Sequence, residues 1–485
     1  MAKFNGVNTI KTTNKSGHIA YDMKDKEKLV TMVLTTFFNE AKYYGDNSCE
    51  IIEIATRIAS QEPKFISNLA AYARKVYHLR SVSHVLTCIV AHEEKTKQYI
   101  GRTLNAVVER ADDLTEILAC YMSMYGKPIP NGLKKAMAKK MNSFDEYSFA
   151  KYNRDSASIK FKDILRLTHA KPKNKSQSEL FKKVLDDNLA TPITWETELS
   201  AKGNNKETWE GLIESNKVGY MAMLRNLRNI LNAQPDNLSK VLEKLGDSHE
   251  VGKSKQLPFR FYSAYREIVN NSNASSKVLD TLEDAIELSS NNLPELKGVT
   301  GVFIDASGSM GNHISSKSQI ECYDIAKLLG VLTSRMCDDS MVFTFSSSWG
   351  WGQSNSTKKV NISSRDGILS QVARNFDRCG GGTSMEDPFK YAIEKRLKFD
   401  RIVVLSDNEV NGSTRTIQTY ADDYRRKVNP NTWVHAIDLQ GYGTQQFCGS
   451  KTNIIAGWSE KVLEFIDIVE KGIDGQVEAI ENYDC

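Results

Sequence analysis

Five oxygen-bearing side chains stand where apolar runs of the chain end. Asp305, Ser307 and Ser309 follow VTGVFI (299–304), Thr383 follows Gly380-Gly381-Gly382, and Asp407 follows RIVVL (401–405) after one serine. Two carboxylates and three hydroxyls are all hard donors, which suits Mg²⁺, or Mn²⁺, in an octahedral shell completed by water or a partner's oxygen. In an open parallel sheet, ligands gather beyond the carboxyl ends of the strands, where these stretches would converge. Gly308 would let the backbone turn tightly enough for both serine hydroxyls to face inward. Enzymatic readings of the same residues fare badly. An aspartyl-phosphate phosphatase needs a second acid two residues after its nucleophile, and position 307 is serine. A phosphate loop needs Lys-Ser/Thr after its glycines, and Thr383-Ser384 follow instead. No Ser/His/Asp set, Cys/His set or two-metal carboxylate cluster emerges, so no catalytic residue is assigned. His435 falls mid-strand and reads as a core histidine. Cys88 and His92, i and i+4 on one helix, lack a second pair at zinc-ligand spacing, which favours packing.

The ordered set Asp305, Ser307, Ser309, Thr383 and Asp407 resembles the DxSxS…T…D metal-ion-dependent adhesion site of the von Willebrand factor A family. The resemblance implies that some of these residues hold the metal directly and others through water. It also implies that an acidic partner residue can complete the shell.

A second kind of chemistry lies upstream. From Asn131 to Lys183 there are fourteen basic and five acidic side chains, a net +9, while the rest of the chain carries 50 basic and 55 acidic. The overall charge of +4 therefore hides a basic segment in a slightly acidic remainder. A polyanion partner would explain it, and so would a set of solvated helix faces. Lys134 and Lys135 open the segment. Tyr147, Phe149, Tyr152 and Phe161 interleave with its lysines, as nucleotide stacking favours, and half of them are expected in the core. ARKVYHLRSVSH (73–84) and MAMLRNLRNI (221–230) are further basic strings.

The pattern KYxR…KDxLRLxHxKP, carried by residues 151–154 and 162–172, resembles the TROVE module of the Ro 60-kDa autoantigen family. With the A-type domain behind it, the resemblance covers the chain from about Ser16 to its end. It implies a ring of HEAT-like helical repeats closed by the A domain. The outer basic surface would bind small Y-like RNA, and a central hole would take single-stranded 3′ ends of misfolded RNA. It also hints at an exoribonuclease partner. By motif, Lys151, Arg154 and His169 are the expected RNA contacts, with Lys162, Arg166 and Lys171 in support. The compact length suits a bacterial or phage form.

The elements that must position these residues fall into two classes. Residues 26–290 carry apolar residues at helical spacing, for example over Glu50–Ser60, Leu114–Met124, Leu133–Asn142, Lys160–Leu167 and Val218–Leu231. Short polar connectors join them, as in stacked helical hairpins. From Leu296 onward, apolar strands alternate with helices, which means a doubly wound parallel sheet covered on both faces. The expected architecture is thus multidomain α and α/β, with a helical-repeat domain over 1–290, a linker at Ser289–Leu296, and an α/β domain over 298–485. With 40% hydrophobic and 26% charged residues, disorder, collagen and coiled coil are excluded. No apolar stretch reaches the ~18 residues of a membrane span, and the N-terminus lacks a secretory h-region. Eight scattered cysteines with no CxxC pair suit a reducing cytosol. The expectation is a cytoplasmic, monomeric, non-catalytic RNA-binding scaffold. The rival is an Mg²⁺-dependent protein-interaction module that grips an acidic partner.

Overall fold

The computed structural model describes residues 11–484 apart from 15–16, 36–45, 154–156, 191, 193, 255, 257, 291–292, 314–319, 348–356, 412–414, 441–443, 457–460 and 471–475. The chain forms two compact units, one of residues 25–194 with 476–485, the other of residues 1–24 with 195–475.

The first of these units is helical. Helices Pro63–Lys75, Ser81–His92, Ile100–Val107, Ala111–Tyr125, Asn131–Met141 and Phe161–Thr168 each pack on the next but one and, in most cases, on a neighbour, as stacked hairpins do. Pro63–Lys75 and Ser81–His92 are buried on all sides, over Phe65–Arg74 and Val82–Ala91, while Ile100–Val107, Asn131–Met141 and Phe161–Thr168 each bury one stripe. In Asn131–Met141 that stripe is Leu133, Met137 and Met141 at i, i+4 and i+8, which turns the intervening lysines outward. Helix Gln476–Glu481 closes against Pro63–Lys75, where Asn68 Nδ2 donates to the carbonyls of Ile480 and Glu481, each at 3.0 Å.

Among the described residues, the second unit begins with strands β1 (Lys11–Thr13) and β2 (Ile19–Asp22), continues through eight helices from Trp195 to Ser290, and ends in an α/β domain. Its further strands are β3 (Leu296–Asp305), β4 (Cys337–Phe345), β5 (Lys358–Val360), β6 (Arg401–Ser406), β7 (Trp433–Asp438), β8 (Thr444–Gln445) and β9 (Thr452–Ala456). The main sheet runs β5-β4-β3-β6-β7-β9, parallel except for the antiparallel edge strand β5. β3, β6 and β7 bury almost every residue, because helices cover both faces. Phe303, Phe343, Phe389, Phe399 and Tyr424 lie in one core beneath the sheet. Strand order reverses between β3 and β6, so a crevice for ligands opens at their carboxyl ends.

Several features depart from the sequence reading, the antiparallel edge strand β5 among them. The stretch Val218–Leu231 is two helices, Tyr220–Arg225 and Leu227–Ala233. Between them Asn226 turns its amide back onto the Ala222 carbonyl (2.8 Å), a local bond that competes with helix continuation. β9, a short apolar TNIIA, extends the sheet at one edge. The polar N-terminus supplies β1 and β2, and β2 pairs antiparallel with β8, Tyr21 opposite Gln445.

The helical part of this unit is tied to the α/β part by two carboxylates of helix Ser276–Ser290. Glu283 accepts from the backbone N–H of Leu369 (2.7 Å) and Ser370 (3.0 Å), and Glu287 from that of Ile368 (3.0 Å). They cap the free N–H groups of helix Ile368–Arg374, which has no side-chain cap of its own. Arg335 closes the arrangement with a two-pronged bond to Glu287 (2.8 and 3.0 Å).

Candidate metal centre and nucleic-acid interface

The sheet register assembles the metal constellation. Ile304 pairs with Leu405, so Asp305 and Ser406 leave adjacent strands side by side and Asp407 follows. Ser406 Oγ donates to Asp305 Oδ2 (2.6 Å), and the Ser307 N–H donates to Asp305 Oδ1 (2.9 Å). The hydroxyls of Ser307 and Ser309 lie 3.2 Å apart. The glycine loop docks on this turn through two backbone bonds, Gly308 N–H to Gly381 O (2.9 Å) and Gly380 N–H to Ala306 O (2.8 Å). Gly308 acts through closeness: a Cβ there would meet the Gly381 oxygen at 3.3 Å. Gly381 has φ +78°, and a Cβ would stand 2.0 Å from the Ser347 oxygen. The docked loop delivers Thr383, whose N–H donates to Asn411 Oδ1 (3.0 Å). Asp305, Ser307, Thr383 and Asp407 are buried, and Ser309 is half-buried.

The electrostatics leave room for a cation. Burial pushes the pKa of both Asp305 and Asp407 up from the ordinary aspartate value, and the charge of Asp407 raises Asp305 further. Among the described residues neither forms an ion pair with a basic side chain. Two buried carboxylates beside three hydroxyls, with no protein cation between them, fit a hard divalent ion. Among the described residues, no group of three or more His, Cys, Asp and Glu that could hold a metal is present, so this candidate centre rests on two carboxylates and hydroxyl oxygens. The sequence reading gave Ser406, at the strand end, no role; it missed Asn411, which with Ser406 orients Thr383 and Asp305, and buried Asp438 at the end of β7. Their only signal was position, at or just beyond a strand's carboxyl end.

The α/β core histidine has a clear role. His435 is buried, and its Nε2 lies 2.9 Å from Glu470 Oε1, while Glu470 also takes two bonds from Arg401, each 2.7 Å. Burial holds His435 below its ordinary pKa, so a neutral ring donates through Nε2.

In the helical unit, the basic segment divides. Lys162 pairs with Asp187, Lys183 with Glu146, and Lys140 Nζ reaches Asn105 O at 3.1 Å, so these charges are partly used within the fold. Lys135, Arg166, His169 and Lys171 are exposed, and Lys134 is half-buried. Asn142 connects the end of helix Asn131–Met141 to the following turn by donating to Lys171 O (2.9 Å) and accepting from Lys173 N (3.1 Å). His169 takes the left-handed conformation (φ +48°) that ends helix Phe161–Thr168. Arg154 lies outside the described residues. Phe149 and Phe161 are core, their rings 5.0 Å apart, whereas Tyr147 is exposed and Lys151 stands 5.7 Å from its ring and 5.6 Å from that of Tyr152. Arg110 sits 4.3 Å over the other cation's partner, Tyr152, making an aromatic and cationic surface.

The string 73–84 turns inward instead. Arg74, Arg80 and His84 converge on Asp113, which is fully buried and also accepts from the N–H groups of Glu109 and Arg110 (2.9 Å each). Cys88 is buried with its thiol 3.4 Å from Ile117 O, while the His92 ring stacks on Tyr125 at 3.7 Å. The string 221–230 lines a cavity of about 320 Å³, with Arg225, Arg228 and Arg260 around an apolar floor that includes Leu224 and Ile268.

Comparison with known proteins places this architecture. The TROVE domain family matches residues 14–188 and 186–279, together more than half of the chain, and the Ro60 vWA domain family matches residues 300–443. The chain is 25% identical over 300 residues to telomerase protein component 1 of Rattus norvegicus, covering 44% of this chain and 11% of that protein. It is 24% identical over 226 residues to the RNA-binding protein RO60 of Caenorhabditis elegans, covering 42% of this chain and 32% of that protein. The chain thus spans a third or less of the length of these curated relatives. In fold it is similar to the crystal structure of the Deinococcus radiodurans Ro (RSR) protein, with TM-score 0.66 at 15% identity, covering 91% of this chain and 99% of the other. The chain belongs to the TROVE family and carries a Ro60-type von Willebrand A domain.

Proposed function

We propose that this chain is an RNA-binding scaffold that holds a small, structured, Y-like noncoding RNA on its basic helical surface. In the same reading it captures single-stranded ends of misfolded RNA for quality control or decay, with an exoribonuclease as a downstream partner, in the cytoplasm, and without catalysis of its own. The observation that carries the reading is the outer face of the basic segment. Lys134, Lys135 and Lys171 make no ion pair among the described residues, while neighbouring lysines are neutralised within the fold. Membership of a family that includes a protein named as RNA-binding supports it. Unpaired cations on this face, and an exposed Tyr147 ring with Lys151 5.7 Å from it, are what phosphate neutralisation and base stacking require.

A salt titration tests this. Affinity for a structured small RNA should fall steeply with salt, and replacing Lys134, Lys135, Arg166 and Lys171 by glutamine should flatten the log–log slope by roughly one per lost phosphate contact. Affinity that hardly changes between low and moderate salt would remove the electrostatic basis of the reading. Replacing Lys151 and His169 should weaken binding with folding intact.

The A-type centre favours a second role alongside the first. With Mg²⁺ bound by Asp305, Ser307, Ser309, Thr383 and Asp407, this domain would grip an acidic partner residue. Loss of a protein partner in Asp305→Ala, with RNA binding retained, would assign the two roles to separate parts of the chain.

A further inference from the structure

The loop that carries Asp407 is held by residues almost 400 positions away in sequence. Asn408, directly after Asp407, adopts φ +62°, a left-handed conformation that an asparagine tolerates but does not prefer. Three side chains fix the peptide groups around it. The Asn408 N–H donates to Ser406 Oγ (3.0 Å). The Asn408 carbonyl accepts from Gln446 Nε2 (3.1 Å) and, more weakly, from Asn14 Nδ2 (3.4 Å). The Val410 carbonyl accepts from the same Asn14 Nδ2 at 2.9 Å. Asn14 therefore spans both ends of Asn408–Val410, and it is 5% exposed.

Asn14 is itself locked. Its Oδ1 accepts from His18 N–H (2.8 Å), and its backbone bonds His18 O (2.9 Å), which closes the turn between β1 and β2. β2 in turn pairs with β8, the strand that immediately precedes Gln446. The N-terminal hairpin and Gln446 thus arrive as one small three-stranded sheet, and its contacts converge on the loop bearing Asp407.

We propose that this hairpin is a strap that sets the cation affinity of the centre, with Asn14 as its positioning residue. The inference rests on the reading of Asp305, Ser307, Ser309, Thr383 and Asp407 as a cation site. With both carbonyls tied, the Asp407 carboxylate is presented at a fixed distance from Asp305. With them released, Asn408 relaxes towards ordinary backbone conformations and carries Asp407 with it. A divalent ion would then have to reorder the loop on binding, and its affinity falls by that cost. Linkage makes the effect reciprocal: a bound cation stabilises the strap as much as the strap favours the cation.

The test uses the full chain and Mn²⁺ as the probe, with binding followed by electron paramagnetic resonance of free Mn²⁺. Asn14→Asp keeps the oxygen that closes the turn at His18 but loses the donor to the two carbonyls. Asn14→Ala loses both. Each is expected to weaken Mn²⁺ binding about tenfold, whereas Ser370→Ala, which perturbs the Glu283 cap and shares no residue with the loop, leaves affinity unchanged. Saturating Mn²⁺ should also slow amide exchange at Tyr21 and His18 in the wild type, a response that a purely structural hairpin would lack. Wild-type affinity in Asn14→Asp and Asn14→Ala, with affinity abolished in Asp305→Ala, would overturn the strap while leaving the centre intact. Failure of the wild-type chain to bind Mn²⁺ at all would overturn the centre itself, and the strap with it.

Discussion

Replacing Asp113 by asparagine should be among the most damaging single changes in the helical unit. The carboxylate is buried and receives five donors. Oδ1 accepts from Arg80 Nε (2.5 Å) and lies 3.1 Å from His84 Nε2. Oδ2 accepts from the N–H groups of Glu109 and Arg110 (2.9 Å each) and from Arg74 Nη2 (3.4 Å). Asparagine keeps one acceptor and turns an NH₂ group against donors. The two backbone bonds are worth about 1 kcal/mol each and the charge-assisted bond from Arg80 about 1.5–3 kcal/mol. The arginines are not left bare, since Arg80 keeps Asp112 (2.8 Å) and Arg74 keeps Glu109 (3.2 Å). The loss should therefore fall near the lower end of the ~3–5 kcal/mol typical of a broken buried ion pair. At ~2–4 °C per kcal/mol, a loss of ~3 kcal/mol lowers the melting temperature by roughly 6–12 °C. Burial alone would raise the pKa of Asp113, but the His84 bond and charge, Arg80 and the Arg110 N–H outweigh it and hold the carboxyl well below the usual range. The unfolded chain thus takes up this proton first as pH falls. The stability Asp113 contributes is complete above about pH 4 and is lost below it, so the gap between wild type and Asp113→Asn should narrow under about pH 4. Urea unfolding at pH 7 and at pH 3 measures both effects. A loss under about 1 kcal/mol at pH 7, or a gap that does not narrow, would refute the reasoning.

Three further outcomes follow from the second unit. Glu470, which burial would raise, is pushed down to about 2 by its bonds from Arg401 and His435. Its contribution should be present above about pH 4.5 and disappear towards pH 2, and Glu470→Gln should lose stability at pH 7 by about 3 kcal/mol in urea unfolding. Gly381→Ala should weaken Mn²⁺ binding and destabilise the chain by more than about 1 kcal/mol, since its φ of +78° and the nearby Ser347 oxygen leave no room for a methyl group. Gly380→Ala, which meets nothing within 4 Å, should be tolerated, and equal thermal shifts for the two would contradict this account of the loop. In calorimetry, Asp407→Ala should abolish Mg²⁺ binding; retention of affinity would remove Asp407 from the centre.

What could be read from the sequence was what local chemistry encodes. The candidate constellation is local: DxSxS follows an apolar strand directly, and Asp407 stands two residues past RIVVL, so strand ends and their oxygen-bearing side chains are visible together. The helix stripes are local too, as Leu133, Met137 and Met141 illustrate. Side chains whose partners lie far along the chain were not legible. Arg74, Arg80 and His84 look like a nucleic-acid string until Asp113 appears beneath them. The hairpin at 11–22 is polar and short, and it exists as a pair of strands because β8 offers an edge. Asn226 breaks a helix through one side-chain bond that a periodicity count passes over.

The carboxylates that cap helix Ile368–Arg374 bear on how this protein can be taken apart. A fragment beginning near residue 298 follows the change in sequence character, yet it discards Glu283 and Glu287. Three backbone N–H groups would lose their acceptors at a surface shaped to be covered, and the Arg335 guanidinium would keep only the Asp366 carbonyl. Helices 195–290 and the sheet should therefore melt in one transition, and the smallest soluble piece bearing the metal centre should begin near Trp195, with the first two dozen residues supplied as well.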